Sequence, residues 1–298
     1  MNQPEHIPVL LDETLRALDA GRPGLYIDCT LGLGGHSLEI LGRNAGAEIV
    51  GIDLDEAAIR IAQERLAPFG DRITLYHSDY RNLPELDLDF KSVRGVLIDL
   101  GMSSFQLDSP ERGFSHGTDG PLDMRMDRRN KMTAARILEK ASEVKLAQIF
   151  RDYGELKQAR KLARAVATAR RAQALESTTQ LRTIVEDVCR WIPQKGKIHP
   201  ASKVFQALRI EVNNELENLD KFLEGTLRLI PSRARLAVIA FHSLEDRIVK
   251  HTFLRLARPE TGEPLIEILT RHPETPADAE IARNPRSRSA KLRAAVRL

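Results

Sequence analysis

The chain has 298 residues, of which 42% are apolar and 29% are charged, and its formal net charge is +3. This length and composition predict a soluble chain of one large or two ordinary domains with a substantial core. No apolar run approaches the roughly 20 residues of a membrane span, and residues 1–9 lack the features of a secretion signal, so we expect a cytoplasmic protein. Cys29 and Cys189 stand far apart, which suggests neither a disulfide framework nor a zinc site.

Short apolar runs predict the strands of a buried parallel sheet. A helical pattern over residues 57–66 lies between two of these runs, and such alternation is typical of a doubly wound α/β domain. Ligands of these domains bind at the carboxyl ends of the strands. The predicted strands are residues 25–31, 48–54, 73–77 and 93–100, followed much later by 235–241, 265–269 and 292–296.

A long insertion separates the fourth predicted strand from the fifth. The gap contains 134 residues, which is several times the length of one crossover. Apolar residues at spacings of three and four predict that the insertion is helical. The predicted helices cover 132–150, 156–173 and 178–191, and a long amphipathic pattern then runs from Phe205 to Leu223.

These patterns predict two domains. Residues 1–105 and 214–298 are expected to form the α/β domain, and residues 106–213 an inserted all-α domain. Within the insertion, residues 107–129 carry several glycines and no periodicity, so we expect a long loop of the kind that often has a function.

A glycine turn follows the first predicted strand. It reads Gly32-Leu33-Gly34-Gly35-His36, and Asp53 comes about one βαβ unit later. Glycine lets a ligand approach the backbone closely, and an acid at this distance can accept both hydroxyls of a ribose. The third glycine of a dinucleotide site is missing, so the motif favours S-adenosylmethionine (SAM) over NAD.

Polar residues at the other strand ends are expected to converge on the same cleft. Asp53 would bond the ribose, Tyr80 would flank the adenine, and Asp99 would face the methionyl end or the acceptor. If any of these acids stood alone, a helix cap or a loop carboxylate would be the better interpretation. Asp28, Asp53 and Asp99 come at successive strand ends, and this common placement favours a binding site.

A histidine and a capping motif follow the strand predicted at 235–241. Ser243 and Asp246 have the spacing of a capping box. His242, at the carboxyl end of the strand, would remain free to point into the cleft.

Two runs of basic residues contain no acid. Six basic residues lie between Lys157 and Arg171, and six more between Arg283 and the C-terminus. A solvated helix face or a frayed tail explains either run alone at least as well, but the two together favour contacts with phosphates. On a helix, one stripe would carry Lys157, Arg160, Lys161, Arg164 and Arg171, opposite Leu162 and Val166.

A metal site is not expected. Asp119, Asp123 and Asp127 stand four residues apart, but no histidine is interleaved, and a glycine and a proline precede two of them.

Several motifs together resemble the RsmH (MraW) family, and the resemblance runs nearly end to end. The combination is specific, although no single block is. The blocks are His6-Ile7-Pro8-Val9-Leu10-Leu11, Gly34-Gly35-His36-Ser37, Asp99-Leu100-Gly101-Met102-Ser103-Ser104 with Gln106-Leu107-Asp108, Arg112-Gly113-Phe114-Ser115, Asp119 to Asp127, Phe241 to Lys250 and Asn284-Pro285-Arg286-Ser287-Arg288-Ser289.

The resemblance implies a fold, a reaction and a set of site residues. Members of this family use SAM to methylate the N4 amine of a cytidine in the decoding region of bacterial 16S rRNA, on a Rossmann-like domain with an inserted helical domain. Tyr80 stands where a phenylalanine is common in the family. The segment Tyr153-Gly154-Glu155-Leu156 departs from the more acidic form that this segment has in the family. The implied cofactor contacts are Gly34, Gly35, His36, Asp53, Tyr80, Asp99 and Gln106.

The expected chemistry follows from the substrate. The cytosine amine is a weak nucleophile, and a carboxylate that accepts its N–H bonds would stabilise the developing positive charge. Asp99 is the candidate for this role, with His242 as a neighbour. The inserted domain would recognise RNA through Lys157, Arg160, Lys161 and Arg164.

Two other functions stay open at this point. A nicotinamide dehydrogenase would share the strand, the turn and Asp53, but it should have the third glycine. A non-catalytic RNA-binding or assembly protein would explain the basic runs, although loss of cofactor-loop residues would then be expected and they are present.

Overall fold

The computed structural model describes residues 8–193 and 198–298, and the chain divides into two compact units. The sheet unit comprises the residues up to Gly101 together with Asn218–Leu298, and the helical unit is Met102–Glu217. The prediction placed the two junctions after residues 105 and 213. His6 and Ile7 of the opening motif lie outside the described residues.

Seven strands in the described part of the chain form one sheet. Their order is β3-β2-β1-β4-β5-β7-β6; the first five are parallel, and β7 is antiparallel to both of its neighbours. This confirms the predicted doubly wound, mostly parallel sheet. The strands are β1 (Gly24–Asp28), β2 (Ala47–Asp53), β3 (Ile73–His77), β4 (Val93–Asp99), β5 (Arg235–Ala240), β6 (Ile266–Ile268) and β7 (Lys291–Arg297).

The helices of the described residues belong to one unit or the other. The helices of the sheet unit come first and last in the chain. In the described residues, no helix of either unit is long and apolar enough to cross a membrane. In chain order they are α1 (Leu11–Leu18), α2 (Gly35–Arg43), α3 (Glu56–Leu66), α4 (Ser104–Asp108), α5 (Ala134–Lys140), α6 (Glu143–Asp152), α7 (Ala159–Ala172), α8 (Thr178–Cys189), α9 (Pro200–Asn213), α10 (Leu219–Leu229), α11 (Ser243–Ala257) and α12 (Asp278–Arg283).

Helices cover both faces of the sheet. Val50 of β2 packs in one core with Leu223 of α10 and Val249 of α11. Its neighbour Ile49 points the other way and packs in a second core with Leu41 of α2. Because successive side chains of a strand point to opposite faces, a strand buried on both sides has a continuous apolar sequence.

The sheet has one topological switch point. β1 pairs with β2 on one side and with β4 on the other, so the chain leaves β1 in one direction and later returns to its opposite side. Ligands of open α/β sheets bind outside the carboxyl ends of the strands at such a point. The ends of β1 and β4 are Asp28 and Asp99.

The helical unit has a core of its own, formed by residues such as Phe150, Leu162 and Leu181. The single helix predicted over 132–150 was wrong, because the chain turns at Ala141 and Ser142 between α5 and α6. The Ser142 hydroxyl accepts a hydrogen bond from the backbone N–H of Lys145 at 3.1 Å and so begins the second helix.

The long amphipathic pattern that ends at Leu223 is also interrupted. α9 ends at Asn213 and α10 begins at Leu219, with Asn214 and Asn218 between them in left-handed conformation at φ 51° and 56°. Asparagine adopts this conformation more readily than other residues with a side chain. The junction between the two units lies in the same segment.

The glycine-rich loop is packed into the helical unit. Arg112 is buried, and its guanidinium donates to the backbone carbonyls of Arg125 and Met126 at 3.0 and 3.1 Å. A side chain at Gly113, which has φ 68°, would overlap the carbonyl oxygen of Pro121. The predicted loop therefore has a fixed internal structure.

Candidate active site

Three aspartates end adjacent strands of the sheet. Asp28, Asp53 and Asp99 are the last residues of β1, β2 and β4, which are neighbours. Parallel strands bring their carboxyl ends to one edge, so the three carboxyl groups lie at the switch point.

The glycine turn is tied to Asp53. The N–H of Gly32 donates to Asp53 Oδ2 at 2.7 Å, and the N–H of Asp55 donates to Oδ1 at 2.8 Å. Gly34 has φ 74°, and a Cβ there would lie 3.1 Å from the Leu66 side chain. Any larger residue at this position would therefore strain the backbone and displace Leu66. α2 begins immediately after it, at Gly35.

Asp28 is enclosed by the protein. The Ser37 hydroxyl donates to its Oδ2 at 2.7 Å, which joins the start of α2 to the end of β1. Burial raises the pKa of Asp28 to about 6, despite this hydrogen bond. Burial likewise raises the pKa of Asp53 to about 6.

Asp99 has an oxygen with no partner. Its side chain is 24% exposed, yet Oδ1 is buried and accepts no hydrogen bond from the described residues. Burial, followed by the nearby charges of Asp28 and Glu245, raises the pKa of Asp99 well above its usual value. A buried, unpaired acceptor of this kind is costly unless a ligand uses it.

His36 faces the other oxygen of Asp99. Its Nδ1 lies 3.8 Å from Asp99 Oδ2, and its Nε2 is 3.0 Å from the backbone carbonyl of Val9. Because a carbonyl can only accept, Nε2 carries a proton, and in the neutral ring Nδ1 presents its lone pair toward Asp99. The 3.8 Å separation is too long for a direct hydrogen bond, although catalytic contacts of this kind often shorten when a ligand binds.

His242 takes part in the cap of a helix, and its predicted place beside the reacting groups stays a prediction. His242 is the N-cap of α11, and its Nδ1 accepts a hydrogen bond from the backbone N–H of Glu245 at 3.3 Å. Glu245 in turn accepts from the N–H groups of Phe241 and His242 at 2.8 and 3.2 Å. The capping box therefore lies one residue earlier than the predicted Ser243 and Asp246 pair. It occupies Nδ1 of His242, whereas Nε2 is buried and has no hydrogen-bond partner in the described residues.

Tyr80 lies beyond β3 with one side against another aromatic ring. Its ring centroid is 4.7 Å from that of Phe222 on α10, at an angle of 60°. The turn that holds it is capped by Asp79, whose carboxylate accepts from the backbone N–H of Arg81 at 2.9 Å. Sequence reasoning missed Phe222, since only the fold brings α10 to this end of β3.

The sequence model of the MraW methylase family matches residues 3–298 of the chain. The chain belongs to the MraW methylase family. Three relatives are named ribosomal RNA small subunit methyltransferase H. The relative from Symbiobacterium thermophilum is 47% identical over 98% of this chain and 96% of its own length. Those from Carboxydothermus hydrogenoformans and Trichodesmium erythraeum are 45% and 44% identical over 98% of this chain, and 98% and 99% of their own lengths.

In this MraW methylase family member, Gln106 belongs to the helical unit. It forms a capping box with Ser103 at the start of α4: its Oε1 accepts the N–H of Ser103 at 3.1 Å, and its own N–H donates to the Ser103 hydroxyl at 3.2 Å. The side chain is buried. Its predicted contact with the cofactor stays a prediction.

The predicted basic stripe is only partly available to a ligand. Lys157, Arg160 and Arg164 are exposed, and no ion pair joins them to another residue in the described ranges. Lys157 precedes α7, which begins at Ala159 rather than at 156. Lys161 differs, since its Nζ donates to the backbone carbonyl of Val188 near the end of α8 at 3.0 Å.

The acidic segment between residues 119 and 127 pairs with neighbouring arginines. Asp123 accepts from the Arg125 guanidinium at 2.7 Å. Asp127 lies 2.9 Å from Arg129. These pairs account for two of the three aspartates, and the third, Asp119, accepts the backbone N–H of Thr179 at 3.4 Å.

Proposed function

We propose that the chain is a SAM-dependent methyltransferase whose substrate is the N4 exocyclic amine of one cytidine in the decoding region of bacterial 16S rRNA, within the small ribosomal subunit. Membership of the MraW methylase family and the names of the relatives support the reaction and the substrate class. Such a substrate also implies a cytoplasmic protein.

The observation that carries this proposal is the unpaired Oδ1 of Asp99 at the switch point, close to His36 of the glycine turn. SAM has a positively charged sulfonium and a positively charged amino group, and it fits a cleft whose carboxylates lack cationic partners. Asp53 would hold the ribose, Tyr80 would flank the adenine, and Gly34 and Gly35 would allow close approach. Bound SAM supplies the methyl group as an electrophile.

The protein then has to align the amine with the methyl group and exclude water. The lone pair of the cytosine amine is delocalised into the ring, so a hydrogen bond from N4–H to Asp99 would localise it and stabilise positive charge as it develops. Ionised Asp99 is the better acceptor, and a cation bound nearby lowers the pKa of a carboxyl group.

His36 is the second residue that we assign to the reaction. Its position beside Oδ2 leaves Oδ1 for the substrate or the cofactor. His242 is not assigned a role here, because its Nδ1 caps α11 and its Nε2 lies 3.2 Å from Oε1 of the buried Glu245.

The helical unit is proposed to recognise the RNA. Lys157, Arg160 and Arg164 present charge without an internal partner in the described residues, and phosphate contacts need such charge. The N4 amine lies on the Watson–Crick edge, so the target base must be unpaired or flipped out of its helix.

The test is nucleoside analysis of 16S rRNA from cells that lack this protein. N4-methylcytidine should be absent at one position and should return when the wild-type chain is supplied. The non-catalytic alternative predicts unchanged methylation in the deficient cells. A nicotinamide dehydrogenase finds no support in the family.

A further inference from the structure

A second group of charged residues lies in the sheet unit, apart from the three aspartates. Lys250, Thr270, Arg271 and Arg293 line a cavity of about 50 Å³. The floor of this cavity is apolar and includes Phe253 of α11 and Ile268 of β6. We call Lys250, Arg271, Lys291 and Arg293 the cationic cluster.

The cluster has an excess of positive charge. Asp246 pairs with Lys291 at 3.1 Å and with Arg293 at 2.6 Å. Lys250 and Arg271 are exposed, and their side chains form no hydrogen bond or ion pair with the described residues. Asp246 therefore holds two of the four cations, and Lys250 and Arg271 remain available to an anion.

Thr270 adds a neutral donor to the cavity. It is buried, and its Oγ1 accepts the backbone N–H of Ala294 at 2.9 Å. Because the oxygen is used as an acceptor, the hydroxyl proton is left to donate. A planar guanidinium, an ammonium and a hydroxyl together match the oxygens of a phosphate group.

The cluster lies at the same edge of the sheet as Asp99. β6 and β5 are both antiparallel to β7, so β6 runs in the direction of the parallel strands, and Thr270 and Arg271 follow its carboxyl end. Lys291 pairs with Ala240 at the carboxyl end of β5. Three strand spacings separate β4 from β6, which corresponds to ~14 Å.

We propose that the cationic cluster binds the phosphodiester backbone of the RNA substrate, a few nucleotides from the target cytidine. This inference rests on the proposed function, which brings an RNA strand to this edge of the sheet. It also explains one of the acid-free basic runs in the sequence, because Lys291 and Arg293 belong to the run that begins at Arg283.

The test removes the two available charges and measures binding of single-stranded oligouridine by fluorescence anisotropy over a range of KCl concentrations. Lys250→Gln with Arg271→Gln should weaken binding several-fold at low salt. The slope of log affinity against log salt should fall by about 1 to 1.5, since each phosphate contact on a single strand contributes roughly 0.7. SAM affinity and the melting temperature should not change.

The matched control is Lys91→Gln with Arg233→Gln. These exposed cations precede β4 and β5, so they lie at the opposite edge of the sheet, and their loss changes the net charge equally. An unchanged slope in the cluster variant, or an equal fall in the control, would overturn the proposal. Loss of inorganic phosphate binding with normal oligouridine binding would overturn it too, because the site would then hold only a small anion.

Failure of the phosphate-binding proposal can be told apart from failure of the proposed function. Oligouridine binding reports on the phosphate contact and needs no methyl transfer. If the cluster variant binds oligouridine weakly while the wild-type chain methylates no ribosomal RNA, the phosphate site stands and the assigned substrate is wrong.

Discussion

At the scale of single residues, the three aspartates differ in what surrounds them. Asp28 and Asp53 are held by hydrogen bonds from Ser37 and from backbone N–H groups. Asp99 alone keeps a buried oxygen without a partner in the described residues. The first two therefore shape the turn, and the third is the one suited to a ligand or a reacting group.

Asp99→Asn tests the role of the carboxylate. An amide still fits the space but is a weaker acceptor, so we expect methyl transfer to slow by roughly 100-fold or more in single-turnover measurements. SAM affinity, measured by equilibrium dialysis, shows how much of the loss is binding. Asp87→Asn, a change at an exposed residue, is the control. Normal transfer with unchanged SAM binding would contradict the assignment.

Asp28 should give the stability of the protein a measurable dependence on pH. Burial raises its pKa from 3.8 to about 6, so its contribution to stability is fully present below pH 4 and is lost as the pH rises through 6. Relative to Asp28→Asn, the wild-type chain should lose up to ~3 kcal/mol of unfolding free energy between pH 4 and pH 7.

Urea denaturation of both proteins at several pH values measures this difference. The comparison cancels the titration of all other groups that the substitution leaves unchanged. A difference that stays constant from pH 4 to pH 7 would show that the pKa of Asp28 is not raised.

At the scale of elements, the first turn of α11 depends on Glu245. Its carboxylate accepts two backbone N–H groups at the end of β5, and the side chain is only 2% exposed. Glu245→Ala leaves both donors unsatisfied and should cost about 1–3 kcal/mol of unfolding free energy. Glu245→Gln keeps one acceptor oxygen and should cost less. Equal losses from the two variants in urea denaturation would contradict the cap.

Much of the sheet could be predicted because its strands are buried on both faces and stand out as apolar runs. Six of the seven strands end within one residue of the prediction, and β1 ends at Asp28 rather than at residue 31. The breaks at Ala141 and around Asn214 could not be predicted in this way, because apolar spacing continues across them and neither contains proline or glycine.

The local part of the site was also predictable. The glycine turn and Asp53 belong to one βαβ unit, so their spacing alone indicates a shared site. Phe222 and the carbonyl of Val9 reach Tyr80 and His36 only through the fold. The capping box was placed one residue too late because histidine is an uncommon N-cap, although the glutamate three residues after His242 was a visible signal.

At the scale of the whole molecule, the basic stripe of the helical unit provides a separate test of RNA binding. Changing Lys157, Arg160 and Arg164 to glutamate should weaken binding to 16S rRNA and reduce the slope against log salt by about 2. Lys161→Gln is the informative comparison, since its ammonium holds the carbonyl of Val188. The Lys161→Gln variant should lower the melting temperature and change the salt slope little. A slope that the triple change leaves unaffected would contradict the interface.

The most direct test of the central claim is single-turnover transfer of a radiolabelled methyl group from SAM to small ribosomal subunits isolated from cells that lack this protein, followed by nucleoside analysis. The account predicts label on the N4 atom of a single cytidine of 16S rRNA. SAM binding without transfer to any ribosomal particle, or label on a different atom, would contradict it.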